Sequence, residues 1–333
     1  MNKRFLLHEK VIFLTGSCGS IGQGLLNLLK DKEYKKIVCI DNNEEGIFHQ
    51  KSLYSNFDNL EFFCVDLNDI ETVRALLRDV DIVIHAAAYK HVSLGESLPH
   101  STIHNNVVLL QKFLNTCGDL KVEKFIFTSS DKAVNPTTVM GITKLLGEKL
   151  VLSSNDLFPE TAFSVTRFGN VIGSSGSVLP IFRKQVNEGL PLTVTDIEMT
   201  RYIMTISDAV NFVMRTVELA KGGEIFLTKM KAIKIIDLAK ALQLIFKSSY
   251  GKEIVIVGKR EGEKLYEELM TIEERGRSHF VGADIEIHAS ESIAKSKSVE
   301  GTALSCNFEV NSSLEVHESV DDIILYLKSN QLV

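Results

Sequence analysis

No run of about 18 apolar residues occurs in the 333-residue chain, so no membrane-spanning helix is expected. Positive charge is not concentrated either. The 37 Lys and Arg are dispersed and stand against 43 Asp and Glu, which argues against the phosphate-tracking surface of a nucleic-acid binder. Any anionic ligand must therefore be gripped locally. The five cysteines (Cys18, Cys39, Cys64, Cys117 and Cys306) form no Cys-x-x-Cys pair and no Cys/His ligand spacing. Their odd number fits a reducing compartment, and Cys39 and Cys64, inside strand-like runs, read as buried free thiols. His85, His100 and His104 show no metal geometry, so no metal is expected. Internal repeats and low-complexity segments are absent. Met1–His8 is charged early and has no apolar stretch, so no signal peptide is expected and the cytoplasm is the expected location.

What is present is a regular alternation. Short β-branched runs at Val11–Leu14, Ile37–Ile40, Leu60–Val65, Asp81–Ile84, Phe125–Phe127 and Phe163–Thr166 are separated by longer helical patterns, such as Ile21–Lys30 and Lys144–Leu152. This rhythm predicts an α/β fold, a doubly wound parallel sheet of Rossmann type covered by helices on both faces. After Arg167 the rhythm breaks. Gly169–Thr195 is rich in Gly, Ser, Pro and Thr, with one helical stretch at Ile181–Asn187. Helical patterns resume at Ser207–Ala220, Ile233–Phe246 and Val320–Lys328, with strand-like runs at Glu224–Leu227 and Glu253–Val257. The expected division gives residues 1–170 plus about 201–230 to a nucleotide-binding domain. Residues 171–200 plus 231–333 go to a smaller C-terminal substrate subdomain. Beyond about Phe280 the sequence is uninformative until the last helix.

The first strand runs into Thr15–Gly22, which reads Thr-Gly-Ser-Cys-Gly-Ser-Ile-Gly and leads into a helix. Glycines at 16, 19 and 22 permit a tight turn and close approach of backbone to a pyrophosphate. Gly16, Ser17, Gly19, Ser20, Ile21 and Gly22 are the candidate contacts, with the helix N-terminus facing the anion. The spacing is Gly-x-x-Gly-x-x-Gly rather than Gly-x-Gly-x-x-Gly. Asp41 ends the second strand about 20 residues later, where a carboxylate accepts from an adenosine ribose hydroxyl. The residues after it, Asn42, Asn43, Glu44 and Glu45, include no arginine for a 2′-phosphate, which favours NAD over NADP. Asp66 and Leu67 follow the third strand as adenine contacts, with helix capping the alternative for Asp66. Ala86, Ala87 and Ala88 are small enough to lie flat against a cofactor, though they equally suit tight strand–helix packing.

Ser129–Lys144 is the most informative stretch. Ser130, Asp131 and Lys132 stand where a buried strand ends and a pocket can begin. Met140 and Lys144 then occupy the frame that in many nicotinamide enzymes reads Tyr-x-x-x-Lys, so the proton-transferring tyrosine is missing. The pattern suggests a cofactor used internally, with proton transfer given to the Asp131–Lys132 pair.

These motifs resemble those of the extended short-chain dehydrogenase/reductase superfamily. More narrowly, the chain resembles the CapD-like UDP-N-acetylglucosamine 4,6-dehydratases of polysaccharide biosynthesis, over about four fifths of its length. Thr15–Gly22, His85–Val92, Asn105–Val107, Ser129–Pro136, Val139–Lys144, Arg167–Val178, Leu192–Asp196, Thr200–Met204 and Arg260–Glu268 carry the resemblance. It implies a bound NAD that takes hydride from C4 of the hexose. The 4-keto group then acidifies H5, water leaves from C6, and the hydride returns to C6. By the same resemblance Lys132 is the base for H5, which needs a neutral amine and hence a lowered pKa. Asp131 is the acid for the departing hydroxyl, and Ser130 polarises the 4-oxygen. Lys144 holds the nicotinamide ribose, and Met140 is unable to take a proton. Lys90 is expected near cofactor or substrate, His91 near substrate, and Asn106 near the cofactor, orienting the loop. Asn170, Ser177, Val178 and Thr193 are expected to contact UDP, Arg201 and Arg260 its phosphates, and Glu263 its ribose. The expected partner is a UDP-N-acetylhexosamine, with no nucleic acid and no membrane insertion. A homo-oligomer is expected because helices flanking such sheets often form two-fold bundles. Met140 and the 85–92 motif lean towards retention at C5. The alternatives are an epimerase of the same fold and a catalytically inactive nucleotide-sugar-binding protein.

Overall fold

The computed structural model describes residues 7–246, 253–289, 302–303 and 310–333, the pair 302–303 by its backbone alone. Cys306 and residues 1–6 of the N-terminal stretch lie outside the described residues. Six strands open the chain: β1 (Val11–Thr15), β2 (Lys36–Asp41), β3 (Leu60–Cys64), β4 (Ile82–His85), β5 (Lys124–Ser130) and β6 (Ala162–Phe168). They pair in parallel in the order β3-β2-β1-β4-β5-β6. Alternate side chains of each strand serve different cores. Val11, Phe13, Val83 and Phe125 pack on one face, and Ile12, Leu14, Ile84 and Ile126 on the other. Burial on both faces explains why the sequence shows apolar runs here instead of a polar/apolar alternation.

Strand order reverses between β1 and β4, and their carboxyl ends open there into a crevice, the usual ligand position in such sheets. One expectation fails in this sheet. Cys39, in the interior of β2, is buried, but Cys64 is exposed, because β3 is the outermost strand and Cys64 its last residue.

After β6 the chain leaves the sheet. β7 (Asn170–Val171), β8 (Leu192–Val194) and β9 (Thr200–Met204) belong to smaller sheets, β9 lying parallel to β7. β10 (Ile225–Thr228) returns beside β6. β11 (Lys231–Lys234) pairs antiparallel with β9, and β12 (Ile254–Ile256) parallel with β8. Helices Val178–Asn187, Ile235–Phe246 and Val320–Ser329 close over them around a separate core that includes Phe182, Leu192, Ile233, Leu238 and Leu327.

Two stretches depart from the expected division. β9 falls within 201–230 except for its first residue, Thr200, yet lies in a small sheet. β13 (Ser278–Val281) and β14 (Asp284–Ile287), expected in the substrate part, extend the main sheet antiparallel from β10, followed by β15 (Thr302–Ala303). The hairpin covers an edge that β10 would otherwise expose.

Candidate active site

The carboxyl ends of β1, β2, β4, β5 and β6 open into a cavity of about 1100 Å³, closed on its far side by the smaller subdomain. Its floor at one end is the glycine turn. Gly16 has φ +69, and a Cβ there would lie 2.7 Å from the backbone N of Ala87. A Cβ on Gly22 would lie 2.3 Å from the carbonyl O of Gly16. The turn therefore packs backbone on backbone and leaves a cradle that only glycine permits. Gly19 precedes helix Ser20–Leu29 without a side-chain cap, which leaves the first-turn N–H groups without a capping side chain. Ser20, Ile21 and Gly22 line the cavity too. Ser17 does not. It is buried behind the turn, with its hydroxyl donating to Gln50 Oε1 at 2.9 Å and its carbonyl accepting from Gln50 Nε2 at 2.7 Å.

Asp41 reaches the cavity and already braces the turn, accepting from the backbone N–H of Cys18 and of Asn43, each at 3.0 Å. Asp66 accepts from Asn68 N–H, while the cap of helix Ile70–Leu76 is Asp69. Leu67 and Ala86–Ala88 line the cavity. Asn106 does not; it fixes Tyr89 through both backbone groups, at 2.8 and 2.9 Å, and donates to Thr143 Oγ1. It thus acts at one remove, holding the loop that carries Lys90 and His91. Lys90 donates to the carbonyl of Ser175, and burial depresses its pKa.

The opposite end of the cavity holds the proton-transfer candidates. β5 ends at Ser130, whose Oγ accepts from Lys132 N–H and turns the chain into a single 3₁₀ turn, Asp131–Ala133. Helix Val139–Leu157 approaches this turn closely, since a Cβ on Gly141 would lie 2.5 Å from the carbonyl O of Lys132. The helix begins earlier than its apolar pattern indicates because Thr138 caps it at Gly141 N–H. Met140 and Lys144 stand one turn apart on it and both line the cavity. Lys144 donates to the carbonyl of Thr128 at 2.9 Å, and burial pushes its pKa down to about 8, against the attraction of Glu148.

Lys132 is the hub. Its Nζ donates to Asp131 Oδ1 at 3.0 Å and to Asn170 Oδ1 at 2.8 Å, and lies 3.5 Å from Glu267 Oε1. Burial alone would depress its pKa, but Asp131 and Glu267 outweigh that and the net direction is up. The expected neutral amine is therefore not the resting state, because two carboxylates hold the ammonium. Asp131 is wholly buried behind Lys132 and does not face the cavity; Ser130 Oγ donates to its Oδ1 at 2.9 Å. Ser130 and Lys132 do face it.

Glu267 was missed by the sequence reading as a candidate. It lies 135 residues beyond Lys132, inside a stretch noted only for resemblance, and no local spacing links the two. It lines the cavity, is buried, and has its pKa raised by that burial against the pull of Lys132. Arg201 lies 3.5 Å from the same carboxylate, and its terminal nitrogens donate to the carbonyls of Thr200, Leu265 and Lys264. Its fork is thus largely committed to backbone. Arg260 is exposed at the rim, with its N–H bonded to Glu263. Ser177 and Val178 begin helix Val178–Asn187 at the cavity wall, with no side-chain cap, and the Ser177 hydroxyl is buried without a partner. Thr193 also lines the wall, its Oγ1 accepting from Gln185.

A family of polysaccharide biosynthesis proteins matches residues 12–287. The chain belongs to that family. A UDP-N-acetylglucosamine 4,6-dehydratase (inverting) of Campylobacter jejuni is 36% identical over 329 residues, covering 98% of this chain and 94% of that protein. A UDP-glucose 4-epimerase of Rickettsia canadensis is 36% identical over 280 residues, covering 82% of this chain and 81% of that protein. Among solved structures, Pen from Bacillus thuringiensis superposes with a TM-score of 0.91 at 29% identity, covering 99% of this chain and 100% of that one. The chain is thus a short-chain dehydrogenase/reductase of the extended, CapD-like kind, related to enzymes that modify nucleotide sugars. Among the described residues no helix is long and apolar enough to cross a membrane.

Proposed function

We infer that this chain is an NAD-dependent UDP-N-acetylglucosamine 4,6-dehydratase, making a UDP-4-keto-6-deoxy-N-acetylhexosamine for a surface glycan. The observation that carries this reading is the Ser130–Asp131–Lys132–Glu267 cluster, set at the strand ends where an alcohol dehydrogenase would need the tyrosine that Met140 replaces. The full-length likeness to a protein of that name supports it.

The glycine cradle and the uncapped helix N-terminus fit a pyrophosphate, Asp41 an adenosine ribose, and Lys144 a nicotinamide ribose. Asn43–Glu45, beside Asp41, include two carboxylates and no cation, which favours NAD. When bound, NAD supplies a reversible hydride acceptor: hydride leaves sugar C4 and is later returned to C6. The chain's own groups move the protons. A hydroxyl docked on Ser130 has a path through Ser130 Oγ to Asp131 Oδ1, which removes the C4 hydroxyl proton without a tyrosine. Lys132 hands its proton to Glu267 and, as the free amine, takes H5. Glu267 then protonates the C6 oxygen as it departs as water. This assigns the acid for the leaving group to Glu267, which faces the cavity, in place of Asp131, which does not. A proton finally returns to C5 as the hydride reaches C6, so the net change is loss of one water. UDP would lie along the smaller subdomain, its phosphates near Ser177, the helix that follows it, and Arg260. The dehydratase relative that covers almost the whole chain is an inverting one, so we favour inversion at C5 over the retention to which the sequence leans.

Incubation with UDP-N-acetylglucosamine and mass spectrometry of the nucleotide sugar tests the reading. The expected product is lighter by one water. An isomer of unchanged mass would favour the epimerase reading, for which the Rickettsia relative is the support. Binding without turnover would favour an inactive nucleotide-sugar-binding protein.

A further inference from the structure

A second cluster of chemistry-bearing side chains lies away from the cavity, on the hairpin that extends the main sheet. β13 and β14 are antiparallel, turning at Gly282, and His279 lies directly opposite Glu286 in the register. His288 N–H donates to the carbonyl of Arg277 and continues the ladder one residue past β14. Strand side chains alternate, so Glu286 and His288, two apart, emerge on the same face as His279 across from them. Ile285 and Ile287 point the other way into the apolar core. Three potential ligands therefore converge by register alone.

The distances approach what a cation requires. Glu286 Oε1 lies 3.3 Å from His288 Nε2, and Glu286 Oε2 lies 3.9 Å from His279 Nε2. One ligand atom from each of the three residues lies within 4.8 Å of the other two. Donors around a tetrahedral zinc sit about 3.3 Å apart, given metal–ligand bonds of about 2.0–2.2 Å. The two imidazoles stack with centroids 4.8 Å apart at 18°, so the rings turn to bring a nitrogen of each onto a shared ion. The cluster is also dry: His279 is 4% exposed and His288 1%. Two imidazoles and a carboxylate suit zinc better than calcium or magnesium, which prefer oxygen ligands. Among the described residues this is the sole group of three or more His, Cys, Asp or Glu side chains close enough to hold an ion.

We propose that His279, Glu286 and His288 bind one divalent transition-metal cation of zinc type, and that this ion clamps β13 to β14 within the hairpin. None of the three residues lines the cavity, so the site is structural and independent of the nucleotide-sugar reading. The expectation of no metal rested on spacing along the chain. That spacing hides a set assembled across a hairpin.

The test uses the full-length, untagged protein, stripped with EDTA and titrated with zinc alone, then with cobalt. The expected result is about one zinc per chain. Cobalt should give visible bands of tetrahedral intensity, and zinc should raise the melting temperature of the stripped protein by about 5 °C. Glu286→Gln and His288→Ala should each weaken zinc binding at least about tenfold, while dinucleotide binding confirms that the rest of the fold is intact. Should either variant fail to fold, the parent's own metal content and cobalt spectrum still decide the matter. Absence of stoichiometric zinc in the parent overturns the proposal, as does unchanged binding in a folded variant.

Discussion

Arg167→Met should destabilise the fold strongly, because Arg167 anchors a buried ion cluster. The Arg167 side chain is 1% exposed and makes five hydrogen bonds: two to Glu148, two to Glu274 and one to the carbonyl of Leu269. Glu148 lies on the helix that carries Lys144, one turn further on, and Glu274 on helix Ile272–Arg275, a few residues past Glu267. The cluster therefore ties both sides of the active site to β6. Burial works against the guanidinium's charge, but the two carboxylates raise its pKa, and Arg167 holds the Glu274 carboxyl below its ordinary range. Removing one member of a buried ion pair costs about 3–5 kcal/mol, because the remaining charge is stranded. Here two carboxylates are stranded, so the upper end, about 5 kcal/mol, is expected. At about 2 °C per kcal/mol this lowers the melting temperature by about 10 °C. Adding Glu148→Leu and Glu274→Leu removes the stranded charges and should restore most of the loss. The sign with pH is fixed by Glu274. Its folded pKa is depressed, so its contribution is present above the unfolded carboxylate pKa and disappears as pH falls through the folded one. Arg167→Met should therefore flatten the acid limb of the stability curve. Equilibrium urea denaturation followed by circular dichroism measures both effects. A loss under about 1 kcal/mol for Arg167→Met, or a triple variant weaker than the single one, would refute the reasoning.

Three further outcomes are expected. Lys132→Ala should bind NAD as the parent does and yield no dehydrated product; turnover at the parental rate would remove Lys132 as the base for H5. Glu267→Gln keeps the shape of the side chain but cannot take or give the proton. Dehydration should fall at least about a hundredfold while nucleotide-sugar affinity stays within about threefold, and an equal loss in both would make Glu267 a binding group instead. Lys144 has a folded pKa of about 8, below its ordinary value of 10.5. Its burial as an ammonium thus costs stability below pH 8, and the cost is relieved as pH rises from about 8 to 10.5, by at most roughly 3 kcal/mol. Denaturation of the cofactor-free protein across that range should show the parent gaining relative to Lys144→Met; parallel curves would contradict the shift.

The sheet was legible in the sequence because strands buried on both faces appear as unbroken apolar runs, a signal that β1, β2, β4 and β5 show, while Glu61 interrupts β3 and Ser164 interrupts β6. The glycine turn was legible for a related reason, since Gly16 and Gly22 occupy positions where any Cβ collides with backbone. What stayed hidden depended on contacts distant in the chain. Cys64 is exposed because β3 happens to be an edge strand, which only the strand order reveals. The β13–β14 hairpin carries polar residues on one face, so its strands show no apolar run. Asp131 and Lys132 stand just past the end of β5, as expected, but they do not both face the cavity. The lysine meets the cavity and the carboxyl lies behind it, because Ser130 and Lys132 both turn their donors onto Asp131. The charge state of Lys132 was likewise set by a residue from another segment, Glu267, and no neighbour in sequence discloses it.

The most direct test of the whole account follows one hydrogen. UDP-N-acetylglucosamine deuterated at C4 is incubated with the protein and NAD, and the product is examined by NMR. The account predicts that the label appears in the C6 methyl group of the 4-keto sugar, with no net reduction of the dinucleotide. Label released as reduced dinucleotide, or still at C4 in the recovered sugar, would contradict it.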